Sequence, residues 1–149
     1  MNITLSQVLD TKGHNVWSVS PHISAYQALE LMADKDVGAL VVIDQGKVVG
    51  MFSERDYARK LALKGKSSKE TKVAEVMTEP VCYVLPWTSI SECMTLMTNK
   101  HVRHLPVLDN DKLVGIVTIG DVVKAIISEQ ESVIHELKSY VDEALKNRS

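Results

Sequence analysis

The sequence predicts an α+β fold made of two copies of one β-α-β-β-α unit, followed by a long C-terminal helix. Three observations predict it. The chain aligns with itself at a fixed offset, each copy carries two apolar β-type runs joined by a tight-turn tetrad, and each copy has apolar residues at helical spacing before and after those runs.

Shifting the 149-residue sequence by 65 positions lays Val16–Leu61 over Val81–Ile126 without a gap, and 15 of the 46 pairs are identical, among them Pro21/Pro86, Ser24/Ser89, Gly50/Gly115 and Asp56/Asp121. Chance pairing at ordinary composition gives about three. A shorter match precedes each copy, with Leu5–Leu9 resembling Val73–Met77 at an offset of 68, so three extra residues fall in the connection Thr11–Asn15. The polar stretch Lys64–Glu70 reads as the linker, which gives a first domain over residues 1–66 and a second over 67–149 that includes a helical extension.

Within each copy the elements follow in order. Val16–Val19 and Val81–Leu85 are β-type runs, each stopped by a proline that cannot donate to a ladder. Ser24 and Ser89 suit N-caps, because a side-chain oxygen there accepts from the free amides of a first helical turn. Ala28, Leu31 and Met32, with Ile90, Cys93, Met94 and Met97, then recur at helical spacing. Ala39–Ile43 and Leu105–Leu108 are strands that end in Asp44–Lys47 and Asp109–Lys112, tetrads whose Asn, Asp and Gly tolerate a tight reversal. Val48–Phe52 and Leu113–Val117 return, and helices follow over Asp56–Lys64 and from Asp121 to about Lys146. One such unit cannot cover both faces of its sheet, so the two must pack together.

Composition excludes several classes. A net charge of −2 leaves no basis for a large basic surface, so nucleic acid is not the expected partner. No apolar run approaches the roughly 20 residues of a membrane helix. The two cysteines, Cys82 and Cys93, form no CxxC and read as buried thiols rather than a bridge. A cytoplasmic location is expected. His101 and His104 form an HxxH, but no further ligand stands at metal spacing. There is no Gly-x-Ser-x-Gly elbow or paired-carboxylate pattern, so no catalysis is expected.

The chemistry lies at the end of the third strand, where Gly50-Met51-Phe52-Ser53-Glu54-Arg55-Asp56 and Gly115-Ile116-Val117-Thr118-Ile119-Gly120-Asp121 both fit Gly-x-x-[Ser/Thr]-x-x-Asp at a helix start. The glycine admits close approach to the backbone. The hydroxyl and first-turn amides favour an oxyanion, and a carboxylate can accept from two ribose hydroxyls, as in dinucleotide folds. Plain helix capping by Ser53, Thr118, Asp56 and Asp121 explains the same residues and stays open as the alternative.

Both copies resemble the cystathionine β-synthase (CBS) domain. The second is the nearer match, in Val76-Met77-Thr78-Glu79-Pro80-Val81, Met94-Thr95-Leu96-Met97, Val102-Arg103-His104-Leu105-Pro106-Val107-Leu108-Asp109 and Leu113 through Asp121, and the likeness spans residues 3–128. The resemblance implies a CBS pair, or Bateman module, whose units pack about a pseudo-two-fold axis and leave two symmetric clefts for AMP, ADP, ATP, NAD or S-adenosylmethionine, with no cofactor required.

Carried over by position, the resemblance implies that Asp56 and Asp121 hold ribose hydroxyls, with Ser53 and Thr118 beside ribose and phosphate. Arg55 faces ligand in the first copy, whereas Gly120 stands there in the second. The loop before the second strand supplies base and phosphate contacts: Gly38, Ala39 and Leu40 in one copy, Arg103, His104, Leu105 and Pro106 in the other. The planar fork of Arg103 matches phosphate oxygens. Val16, Trp17 and Ser18, with Val81, Cys82 and Tyr83, flank the adenine. Trp17 and Tyr83 could stack on it, although core packing is the commoner use of such rings.

The tail from Val122 to Lys146 keeps a helical period in Val123, Ile126, Ile127, Val133, Ile134, Leu137, Val141 and Leu145. It is longer than the second copy needs, so a homodimer using this tail is expected. The functional expectation is a regulatory module that senses an adenosine nucleotide and acts on a separate, unidentified partner. The alternative is a scaffold of the same fold without ligand affinity.

Overall fold

The computed structural model describes residues 3–79 and 81–147; Pro80 of the motif above and the terminal residues of both expected domains lie outside them. The elements run α1 Leu5–Lys12, β1 Ser18–Val19, α2 Ala25–Lys35, β2 Ala39–Asp44, β3 Lys47–Ser53, α3 Glu54–Asp56, α4 Val73–Val76, α5 Ile90–Lys100, β4 His104–Asp109, β5 Lys112–Thr118 and α6 Ile119–Lys146. After α3 the helix widens into a π turn over Tyr57–Leu61 and tightens into a 3₁₀ turn over Ala62–Lys64. It stops at Gly65, whose φ of 65° is the left-handed cap that glycine adopts freely.

The duplication is exact in register. β2 and β3 pair antiparallel from Ala39↔Ser53 to Asp44↔Lys47, and β4 and β5 from His104↔Thr118 to Asp109↔Lys112. Both ladders shift register at the same place, after Val42 and after Val107. The tetrads are hairpin turns, with positive φ at Gln45 and Gly46 and at Asn110 and Asp111. Ser24 and Ser89 cap α2 and α5, accepting from the amides of Gln27 and Glu92. Both helices end on a left-handed residue, Asp36 and His101, at φ 54°.

The first strands fall short of expectation. Of Val16–Val19 only Ser18–Val19 pairs, parallel to Val41 and Val42, and Val81–Leu85 contributes a single bridge between Val84 and Val107. The cause is visible at equivalent positions. The Val41 amide donates to the Trp17 carbonyl, but the residue 65 positions on is Pro106, which has no N–H to offer.

The segment before each copy packs on the other copy. Leu5, Val8 and Leu9 are buried with Ile90, Cys93, Met97, Leu105, Val107, Val117 and Val122 of the second copy. Val73 and Val76 are buried with Ala25, Ala28, Met32, Leu40, Phe52 and Leu61 of the first. The same three backbone bonds secure both exchanges. Ala25, Val73 and Ala74 amides donate to Thr71, Ile23 and Pro21 carbonyls, and Ile90, Leu5 and Ser6 amides donate to Ile3, Thr88 and Pro86 carbonyls. The two cores are thus not split at residue 66, although the polar linker Lys64–Glu70 joins the copies there.

The exchange also reassigns the motif glycines. A Cβ on Gly50 would stand 2.6 Å from Met77 Sδ, and one on Gly115 2.6 Å from Leu9 Cδ2. The group that approaches each glycine is the exchanged segment, not open cleft.

Candidate functional site

Between the copies lies a cleft of about 790 Å³, within the 300–1,000 Å³ range of small-molecule sites. The first copy supplies Gly38, Ala39, Met51, Ser53, Glu54, Arg55, Asp56, Arg59 and Lys60, and the second supplies Val81, Cys82, Lys100, His101, Val102, Arg103, His104 and Leu105, with Thr78 from the segment before it. The motif of one copy therefore meets the pre-strand loop of the other. The Arg55 guanidinium ties them, donating to the His101 carbonyl at 2.8 Å.

Asp56 is the buried carboxylate of this cleft, 9% exposed. Its Oδ2 accepts from the Ser53 amide (2.9 Å) and Ser53 hydroxyl (3.0 Å), while its own amide donates to Ser53 Oγ at 3.2 Å. This is a reciprocal capping box, which is the capping arrangement weighed above. Oδ1 accepts from Thr78 Oγ1 at 2.8 Å and pairs with Lys60 Nζ at 3.1 Å. A diol could bind Oδ1 only by displacing Thr78 or Lys60.

Five cations, Arg55, Arg59, Lys60, Lys100 and Arg103, line the cleft against two carboxylates, Glu54 and Asp56. Concentrated cationic charge in a chain of net charge −2 makes this the place where an anion is attracted. His104 lines it too, partly buried, and a Cβ on Gly38 would lie 3.5 Å from its Nε2. Burial holds the imidazole below its ordinary pKa, and the Lys12 ammonium adds to this. Glu54 opposes, Arg103 lowers it further, and Asp121 opposes.

Other expected residues fall elsewhere. Leu40 and Pro106 are buried, with Leu40 in the first core. Trp17 is neither core nor in this cleft: it is 41% exposed, with Lys35 Nζ 4.5 Å above its ring. Val16 and Ser18 lie outside the cleft with it. Tyr83 lines a shallower depression of about 630 Å³ with Val48, Val49, Glu79, Val81, Leu108 and Asp111.

Thr118, Gly120 and Asp121 of the second motif do not line this cleft, and their surroundings differ from those of Ser53, Arg55 and Asp56. Thr118 and Asp121 repeat the capping box, at 2.8 and 3.1 Å. But Lys12 Nζ of α1 lies 2.5 Å from Asp121 Oδ2 and donates to the Ile116 carbonyl at 2.8 Å. Burial pushes the Asp121 carboxyl up, but the Lys12 and Thr118 hydrogen bonds outweigh it and hold it below its ordinary value.

Sequence reasoning missed Lys60, Arg59, Thr78, Lys100 and Lys12. For Lys60 a signal existed, since it stands four residues after Asp56 on one helical face. Thr78 and Lys12 arrive through the exchange and left none. Among the described residues no group of three His, Cys, Asp or Glu converges as a metal site, and no helix is long and apolar enough to cross a membrane.

The CBS domain model matches residues 6–63 and 73–128. The chain is 37% identical over 148 residues to the mitochondrial CBS domain-containing protein CBSX3 of Arabidopsis thaliana, covering 93% of this chain and 71% of that protein. It is 34% identical over 128 residues to CBS domain-containing protein YhcV of Bacillus subtilis, covering 86% and 91%. Two solved structures are similar as well. A protein with CBS domains from Burkholderia ambifaria gives a TM-score of 0.82 at 46% identity over 86% of this chain and 96% of that one. A CBS-domain protein from Agrobacterium tumefaciens gives 0.79 at 37% over 83% and 98%. Fold and site define a doubled α+β module with a cationic cleft between its halves. The chain belongs to the CBS domain family and carries a pair of such domains.

Proposed function

We propose that this CBS pair is a non-catalytic regulatory module that binds an adenosine-containing nucleotide in the Asp56 cleft and signals its presence to a separate partner. One observation carries the reading. A buried carboxylate, a capped helix start and five cations from both copies converge on one cleft of ligand size. In this reading Asp56 accepts from ribose hydroxyls in place of Thr78 and Lys60, Ser53 and the first-turn amides face the sugar, and Arg55 and Arg103 hold phosphate oxygens. Gly38, Ala39, Val81, Cys82 and Leu105 form the walls. The charge favours AMP, ADP, ATP or NAD over S-adenosylmethionine, whose sulfonium is itself a cation.

Because both copies contribute, a bound ligand bridges them and shifts their relative position to the extent that it binds one arrangement better. The module acts as a homodimer through α6, whose Ile127, Ile134, Leu137, Tyr140, Val141 and Leu145 are each more than half exposed. A cytoplasmic location accords with two free thiols, one of them, Cys93, buried with its pKa pushed up to about 11. Calorimetry with AMP, ADP, ATP, NAD and S-adenosylmethionine tests the proposal. Saturable heat with one or more supports it, and flat traces for all five overturn it. A scaffold without ligand affinity is the second reading, favoured by the fact that Asp56 already has partners on both oxygens.

A further inference from the structure

We propose that the duplicated motif provides one working nucleotide site per chain, because Lys12 of the exchanged helix α1 is the built-in occupant of the other. The inference rests on the nucleotide reading above.

The duplication predicts equal surroundings for Asp56 and Asp121, and the structure shows where they part. At an offset of 68, Asp10 is the counterpart of Thr78. In the first copy α4 ends at Val76, Met77 is extended, and Thr78 exchanges backbone bonds with Met51 at 2.7 and 3.1 Å. In the second copy α1 stays helical through Lys12. The three extra residues of the connection are what allow this added turn. The Lys12 ammonium then reaches the Ile116 carbonyl, which is the counterpart of the Met51 carbonyl, and the Asp121 carboxylate together. His14, just beyond, lies 3.0 Å from the Val114 carbonyl and holds the segment along β5.

Three of the five cations of the first cleft are also missing at equivalent positions, while Arg59 and Lys100 are matched by Lys124 and Lys35. Arg55 becomes Gly120, Lys60 becomes Ala125, Arg103 becomes Gly38 and His101 becomes Asp36. Lys12 thus supplies the second carboxylate with an intramolecular cation kept at high effective concentration by the chain, whereas Lys60 beside Asp56 acts together with Arg55 and Arg103 of the same cleft. A ribose diol takes Asp121 Oδ2 only when Lys12 leaves.

Calorimetric stoichiometry with AMP tests this on three full-length chains. The wild type is expected to take up one AMP per chain, Lys12→Met two, and Lys12→Met/Asp121→Asn one again. Two sites in the wild type overturn the inference, and so does a single site in a folded Lys12→Met chain. If Lys12→Met does not fold by circular dichroism, the wild-type count decides alone, helped by Asp121→Asn, which must leave it at one. An absence of binding to every chain is a different failure: it removes the nucleotide reading and this inference with it.

Discussion

Gly115 lies directly under Leu9: a Cβ on the glycine would stand 2.6 and 2.7 Å from the two Leu9 methyl carbons and 3.2 Å from Cγ. These residues are 106 positions apart in the chain. Leu9 is 1% exposed, so its isobutyl group has no free space to move into. Gly115→Ala is therefore an overpacking change and should destabilise by about 1–3 kcal/mol. Thermal unfolding should record a fall of roughly 2–4 °C per kcal/mol. Gly115→Ala should cost less in a Leu9→Ala background than in the wild type, and strict additivity of the two changes would mean that the contact is not the cause.

Asp56→Asn separates the two roles of this side chain. Asparagine keeps an oxygen that can accept from the Ser53 amide at this N3 position of the capping box, so the stability loss from the box should stay below about 1 kcal/mol. The charge that meets Lys60 and a ribose diol is gone, and nucleotide affinity should drop more than tenfold. A folded Asp56→Asn protein with wild-type affinity would remove the ribose assignment.

His104 should make both stability and binding depend on pH. Its folded-state pKa is lowered by burial, with Lys12 and Arg103 adding to this and Glu54 and Asp121 opposing. Between the folded value and the unfolded value near 6.5, the unfolded chain binds more protons, so stability is lost as pH falls below about 6.5. A polyphosphate in the cleft favours the imidazolium, so binding takes up a proton and ATP affinity should rise as pH falls from 8 to 6. His104→Gln should flatten that slope; a slope of equal size in the variant assigns the proton elsewhere.

The apolar face of α6 should hold a dimer together. Ile134 and Leu137 are 52% and 59% exposed, on a helix about 42 Å long by its rise per residue. Ile134→Glu/Leu137→Glu should sediment as a monomer with helicity and AMP affinity retained. An unchanged oligomer would place the interface on another surface.

The local signals were legible because they depend on neighbours in sequence. Ser24 and Ser89 cap their helices, the two tetrads turn with positive φ, and the motif begins a helix in each copy. The first strands were over-read, since β propensity at Val81–Leu85 says nothing of the missing amide at Pro106 that cuts the ladder short. The motif glycines were read as room for a ligand, yet Met77 and Leu9 fill that room.

The sequence by itself determined a doubled β-α-β-β-α fold and two copies of one Gly-x-x-[Ser/Thr]-x-x-Asp pattern, because repeat, period and turn chemistry are written along the chain. Only the tertiary structure decided that the lead segments trade places, that Arg103 lines one cleft with Asp56, and that Lys12 takes Asp121. The physical reason is that an offset of 65 fixes which residues are equivalent, whereas the environment of each carboxylate is set by side chains brought from the other copy.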